Sequence, residues 1–185
     1  MIRSSAVLTA AVLALSTAAC DRTTSLSLTP EVEETTSFES GLDGWTVDRQ
    51  LGSTGGGMIV AGEASEGASY MQLTLDADTD FVWVERVFTL QPDTEYSVTI
   101  SADVRAFAGS ADIRLGARGT DTDGSGFDSD GPTLEQWTRT ISPQPLTTDA
   151  QGRAWIAIGV RGVDQTGTFG IDRLTVSFLR TGEAP

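Results

Sequence analysis

From about residue 36 onward, apolar and polar side chains alternate at every second position, most clearly along Tyr96-Ser97-Val98-Thr99-Ile100-Ser101-Ala102-Asp103-Val104. A period of two marks a strand with one face buried. The pattern predicts strands over 36–40, 45–49, 57–61, 68–75, 81–90, 95–106, 110–118, 136–141, 153–161 and 168–179. No segment holds a helical period, and the 20 glycines fall mostly between the strands. Many short strands without helices predict an all-β fold, an antiparallel β-sandwich around one core.

Alternation also assigns faces. Along 81–90 the core face is Val82, Val84, Phe88 and Leu90, which turns Trp83 and Glu85 outward. Along 153–161 the core face is Ala154, Ile156, Ile158 and Val160, leaving Arg153, Trp155 and Arg161 on the other side. An indole plane stacks on the C–H face of a pyranose, and planar polar groups hydrogen-bond its hydroxyls. Trp83, Trp155, Glu85, Arg153 and Arg161 are therefore the candidate ligand-binding residues, and a glycan the candidate ligand. The competing reading is that loops cover both rings. Tyr70, Asp103, Arg105, Asp112 and Arg114 also face away from the apolar stripes and are weaker candidates.

The N-terminal segment follows a different pattern. Arg3 precedes the apolar run Ala6 to Leu15, which is too short to span a bilayer, and Ser16-Thr17-Ala18-Ala19 leads into Cys20, the single cysteine. This resembles the signal peptide and lipobox of bacterial lipoproteins, with Thr17 where Leu is most common. The resemblance implies lipidation of the Cys20 thiol and a membrane anchor outside the cytoplasm, in the bacterial cell envelope. The alternative is an ordinary secretory signal cut after Ala19. Residues 21–36 are polar, rich in Ser and Thr and broken by Pro30, as in a flexible tether. The expected organisation is a signal peptide over 1–19, the lipidated cysteine and tether over 20–36, one β-sandwich domain over 37–180 and a tail over 181–185.

Charge narrows the partners. The formal net charge is −14, and every basic residue is Arg, with Lys, His and Asn absent. No basic patch is available to displace counterions, so nucleic acid is not an expected partner. A divalent cation or a neutral ligand suits the surface better. Without His there is no Ser-His-Asp triad, and without Lys no Schiff base. The chain is not expected to be an enzyme.

Further along, Ser37-Phe38-Glu39-Ser40-Gly41-Leu42-Asp43-Gly44-Trp45 resembles the opening of jelly-roll carbohydrate-binding modules of the galactose-binding-like group. Gly67-Ala68-Ser69-Tyr70, Leu90-Gln91-Pro92-Asp93-Thr94-Glu95-Tyr96, Trp137 and Gly170-Ile171-Asp172-Arg173-Leu174 resemble later motifs of that group, in the same order. The resemblance implies a jelly roll with Trp45 and Trp137 in its core. It also implies a structural calcium ion on Glu39 and Asp172, with carbonyls of loop 62–67 completing the shell. The acidic run Asp121 to Gly131 echoes half of a calcium loop, but Pro132 stands at the twelfth position, so a solvated loop is expected. Asp76, Asp78 and Asp80 read as another solvated turn. Two functions remain open: a glycan-binding module, and a protein-interaction or structural module of the envelope.

Overall fold

The computed structural model describes residues 29–119 and 126–183. Cys20, the signal segment and most of the predicted tether lie outside the described residues. The strands are β1 (Val32–Thr36), β2 (Thr46–Arg49), β3 (Gly56–Ala61), β4 (Ser69–Leu75), β5 (Phe81–Thr89) and β6 (Thr94–Ala108). They continue with β7 (Ala111–Arg118), β8 (Asp128–Pro132), β9 (Thr138–Thr147), β10 (Arg153–Gly162) and β11 (Gly167–Glu183). One sheet runs β3-β4-β11-β6-β9, with β1 beside the far half of β11, and the other runs β2-β5-β10-β7-β8. Every strand pairing is antiparallel. The result is the two-layer sandwich that the alternation predicts.

The core fills the space between the inner faces. Val82, Val84 and Phe88 of β5 meet Ile156, Ile158 and Val160 of β10 on one side and Ile100, Ile171 and Phe178 of the other sheet. Each such side chain contributes about 1.5–3 kcal/mol on leaving water, so this cluster dominates the stability. Trp45 joins the core, its indole N–H donating to Thr36 Oγ1 at 3.2 Å.

Several expectations need correction. The sandwich begins at Val32 rather than Ser37, because Val-Glu-Glu-Thr-Thr pairs with β11 from Val32↔Phe178 to Thr36↔Leu174. Only Thr36 of that strand is buried, so its sequence carries little apolar signal. No strand covers 36–40, since Phe38 takes φ 60°, a left-handed turn that seats its ring in the core. Part of the predicted acidic loop is β8, which adds an edge to the five-stranded sheet. At the C-terminus, β11 extends into the expected tail, to Glu183. Trp137 is not a core residue; it lies half-buried outside the six-stranded sheet, against Tyr70 and Phe107.

Candidate functional site

Strands β5 and β10 are direct neighbours, so their outward residues form one surface with those of β7. Register sets it out in rows. Phe81 of β5 stands beside Arg161 of β10 and Asp112 of β7. Next come Trp83, Gly159 and Arg114, and then Glu85, Ala157 and Gly116. Val87, Trp155 and Arg118 form the last row. Gly159, Ala157 and Gly116 are small where the rings need room. A Cβ on Gly116 would lie 2.7 Å from the Trp155 six-membered ring.

Both tryptophans point away from the main core, and both are closed to solvent. Trp83 is 1% exposed and Trp155 0%. They form a second, smaller core with Phe81 and Ala157, capped by the half-buried Phe127. The Phe127 ring meets Phe81 at 4.6 Å, Trp83 at 5.2 Å and Trp155 at 5.3 Å between centroids. Glu85 ties the pair together: its Oε2 accepts the indole N–H of Trp83 at 2.6 Å and that of Trp155 at 3.0 Å. Neither indole offers a face on which a sugar ring could lie. These three residues build the floor of the surface, and the aromatic edge that reaches solvent belongs to Phe127.

The open polar groups lie along the β7 side. Arg114 donates to Asp112 at 3.0 Å, while its Nε is buried with no hydrogen-bond partner among the described residues. Arg161 is exposed, directly across from Asp112. Neither Arg161 nor Arg118 has a carboxylate within ion-pair distance among the described residues. Arg153 is committed elsewhere, its Nε donating to Asp149 at 2.6 Å. Asp149 also accepts the Arg153 and Gln151 backbone N–H groups, which with the guanidinium hold its carboxyl below the usual range.

The residues implied for calcium are arranged otherwise. Glu39 Oε1 accepts the backbone N–H groups of Ala68 and Ser69, each at 2.8 Å. Asp172, fully buried, accepts Ser65 N–H at 2.9 Å and Glu66 N–H at 3.0 Å on one oxygen and Arg173 N–H at 2.8 Å on the other. Loop 62–68 thus presents amide donors to both carboxylates, where a calcium shell needs six to eight oxygens. Among the described residues no group of three or more acidic side chains is gathered to hold a metal. The donor set does not fit the ion; it fits a loop clamped by two carboxylates.

The outside of the six-stranded sheet carries a second aromatic group. Tyr70, Phe107 and Trp137 converge over Gly170, where a Cβ would lie 2.5 Å from the Trp137 ring. Arg105 covers the Phe107 ring at 4.5 Å, and the Trp137 indole N–H donates to the Glu63 carbonyl at 2.8 Å. Burial raises the Tyr70 hydroxyl above its ordinary pKa.

No protein-family model matches the sequence, and no curated protein is similar to it. Solved structures share the fold. One is a family 61 carbohydrate-binding module in complex with beta-1,4-galactotriose, with TM-score 0.51 and 16% identity over 78% of this chain and 94% of that one. Another is the CBM22-1 xylan-binding domain from Paenibacillus barcinonensis Xyn10C, with TM-score 0.53 and 16% identity over 80% and 95%. A third is the family 11 module from Clostridium thermocellum in complex with a beta-1,3-1,4-mixed-linked tetrasaccharide, with TM-score 0.51 and 16% identity over 82% and 96%. At such identities the likeness is one of fold, and the fold is the jelly-roll β-sandwich.

Proposed function

We propose that this chain is a non-catalytic carbohydrate-binding module, held at the bacterial envelope by lipid on Cys20. The ligand face is the outside of the five-stranded sheet. The observation that carries the reading is the Asp112–Arg114–Arg161 group beside the Phe127 edge. It combines the exposed Arg161, the partly exposed Arg114 and the Asp112 carboxylate, planar donors and an acceptor side by side. Sugar hydroxyls both donate and accept, and such a group offers them planar donors and a carboxylate acceptor. Trp83, Glu85 and Trp155 act by fixing the floor on which these groups stand. Arg153, tied to Asp149, shapes the rim.

The test is calorimetric titration of the full chain in detergent with β-1,4-galactotriose, xylohexaose and a mixed-linked β-glucan tetrasaccharide. Arg161→Ala, at an exposed side chain, is expected to abolish binding while leaving the melting temperature within about 2 °C. Arg114→Ala also removes the Asp112 ion pair, so its loss of binding is read in a sample whose fold is checked by circular dichroism. Trp83→Ala is not a useful control, since it would cost about 3–5 kcal/mol of stability. The sealed tryptophans favour a second reading, a protein-interaction or structural module of the envelope. Silence toward every glycan in a folded sample would select it. For the anchor, Cys20→Ala is expected to release the chain from membranes into the soluble fraction.

A further inference from the structure

A pocket of about 200 Å³ opens at one edge of the sandwich, where β9 of one sheet faces β7 and β8 of the other. Its floor is Val104 and Ile113, and its rim includes Leu134 and Ile141, which are 52% and 60% exposed. Thr140, 7% exposed, also lines the pocket, and its Oγ1 is buried with no hydrogen-bond partner among the described residues. That hydroxyl can both donate and accept, and leaving it unmatched costs free energy. Asp130 supplies a carboxyl at the same pocket, and partial burial raises its pKa above the ordinary value.

The pocket adjoins the face described above. β8 pairs with β7 at Pro132↔Asp112 and Ser129↔Arg114, and the register shifts between Ile113 and Arg114. Asp130 is the extra residue of that bulge and lines the pocket, while its strand neighbours Ser129 and Gly131 stand opposite Arg114 and Ile113. A chain crossing the strands from β10 over β7 therefore leaves the sheet at β8, beside the pocket mouth. At about 200 Å³ the pocket is smaller than the roughly 300–1,000 Å³ clefts that take drug-sized ligands, and it suits one ring rather than a run of them. Apolar side chains for ring C–H groups, set among the Thr138 and Thr140 hydroxyls, the Asp130 carboxyl and Arg139, which is paired to Asp103, describe the needs of a single sugar unit.

We infer that this pocket takes the terminal sugar of a glycan whose following units lie on the five-stranded face, which rests on the glycan-binding reading above. Recognition is thus of a chain end, and internal stretches of a polysaccharide bind weakly. The experiment measures binding capacity per gram of xylan, β-1,4-galactan and mixed-linked β-glucan, before and after partial hydrolysis. Capacity is expected to rise in proportion to the number of chain ends. Thr140→Val keeps the side-chain shape and removes the orphan hydroxyl, so it should lower affinity for the bound oligosaccharide roughly tenfold with no fall in melting temperature. Capacity indifferent to hydrolysis, or unaltered affinity in Thr140→Val while the unmodified chain binds, overturns the end-binding inference and leaves the glycan reading standing. Failure of the unmodified chain to bind any of the three glycans overturns the reading itself.

Discussion

Asp80 offers the sharpest test of the fold. It sits at the turn into β5, 2% exposed, with no cation in ion-pair distance among the described residues. Its carboxylate accepts four backbone N–H groups, from Thr54 at 3.1 Å, Gly55 at 3.0 Å, Asp76 at 2.9 Å and Ala77 at 3.0 Å, and the Thr54 hydroxyl at 3.2 Å. Oδ2 alone takes three of these amides, so Asp80→Asn sets an NH₂ against N–H donors or turns its single acceptor away from some of them. The better orientation keeps the carbonyl oxygen on the Gly55, Asp76 and Ala77 amides and leaves the Thr54 N–H facing the NH₂. One unmatched amide at about 1–3 kcal/mol, with the kept bonds no longer charge-assisted, puts the loss near 2–4 kcal/mol. At about 2–4 °C per kcal/mol for a domain of this size, the melting temperature should fall on the order of 10 °C. Burial pushes the Asp80 carboxyl up, but the amide bonds outweigh it and hold the pKa below the usual value. A depressed folded pKa gives stability that is complete above the unfolded carboxylate pKa of about 3.9 and is lost as pH falls through the folded value. Urea melts of the two proteins should therefore differ most at neutral pH and converge below about pH 4. A gap under about 1 kcal/mol, or one equal at pH 7 and pH 3, would refute the reasoning.

Three further outcomes follow from the described contacts. Glu85→Ala strands two indole N–H groups and should cost about 2–4 kcal/mol in urea unfolding, with Glu85→Gln losing less than half of that. Unchanged stability and near-ultraviolet dichroism in Glu85→Ala would contradict the shared acceptor. Gly159→Ala drives a Cβ to 2.4 Å from the Val82 carbonyl and 2.5 Å from Trp83 Cβ. It should destabilise by about 3 kcal/mol or more, and a variant as stable as the parent would mean that β5 and β10 pair differently. Calcium in large excess should leave the melting temperature within about 1 °C of its value in chelator, whereas a ligand at a hundred times its Kd adds about 2.7 kcal/mol. A rise of several degrees would restore Glu39 and Asp172 as ligands.

Alternation alone located the strands that matter, because β5 and β10 are buried on their inner faces and any slip would expose Val84 or Ile158. It also turned Trp83 and Trp155 away from the core, but that β5 and β10 are neighbours and the two rings one group is seen only in the strand pairing. It gave no view of Phe127, which covers them from a segment whose composition reads as solvated acid. Asp80 was hidden for the same reason: an acidic turn looks alike whether its carboxylates face water or backbone amides. Glu39 and Asp172 stood out as a motif, but only the placement of loop 62–68 reveals that N–H groups, and not carbonyls, meet them. β1 escaped notice because pairing to β11 uses its backbone, which no side-chain pattern reports.

The position of β1 has a mechanical consequence. A pull on the N-terminal segment enters the fold through its five register pairs with β11, the Glu31 N–H bond to the Phe178 carbonyl, the Tyr96 hydroxyl bond to the Glu31 carboxylate and the Arg86–Glu34 ion pair. A force along the strand shears these bonds together, whereas a force across it peels them singly from the Val32 end at much lower load. Beyond β1 the load meets Phe38, fully buried between the sheets, before it can reach β2. Load therefore reaches the five-stranded sheet through one anchored ring and through the Arg86–Glu34 ion pair, 2.7 Å long, which breaks at little cost because Glu34 is exposed. Drag on the domain would load β1 before it loads the strands around Arg114.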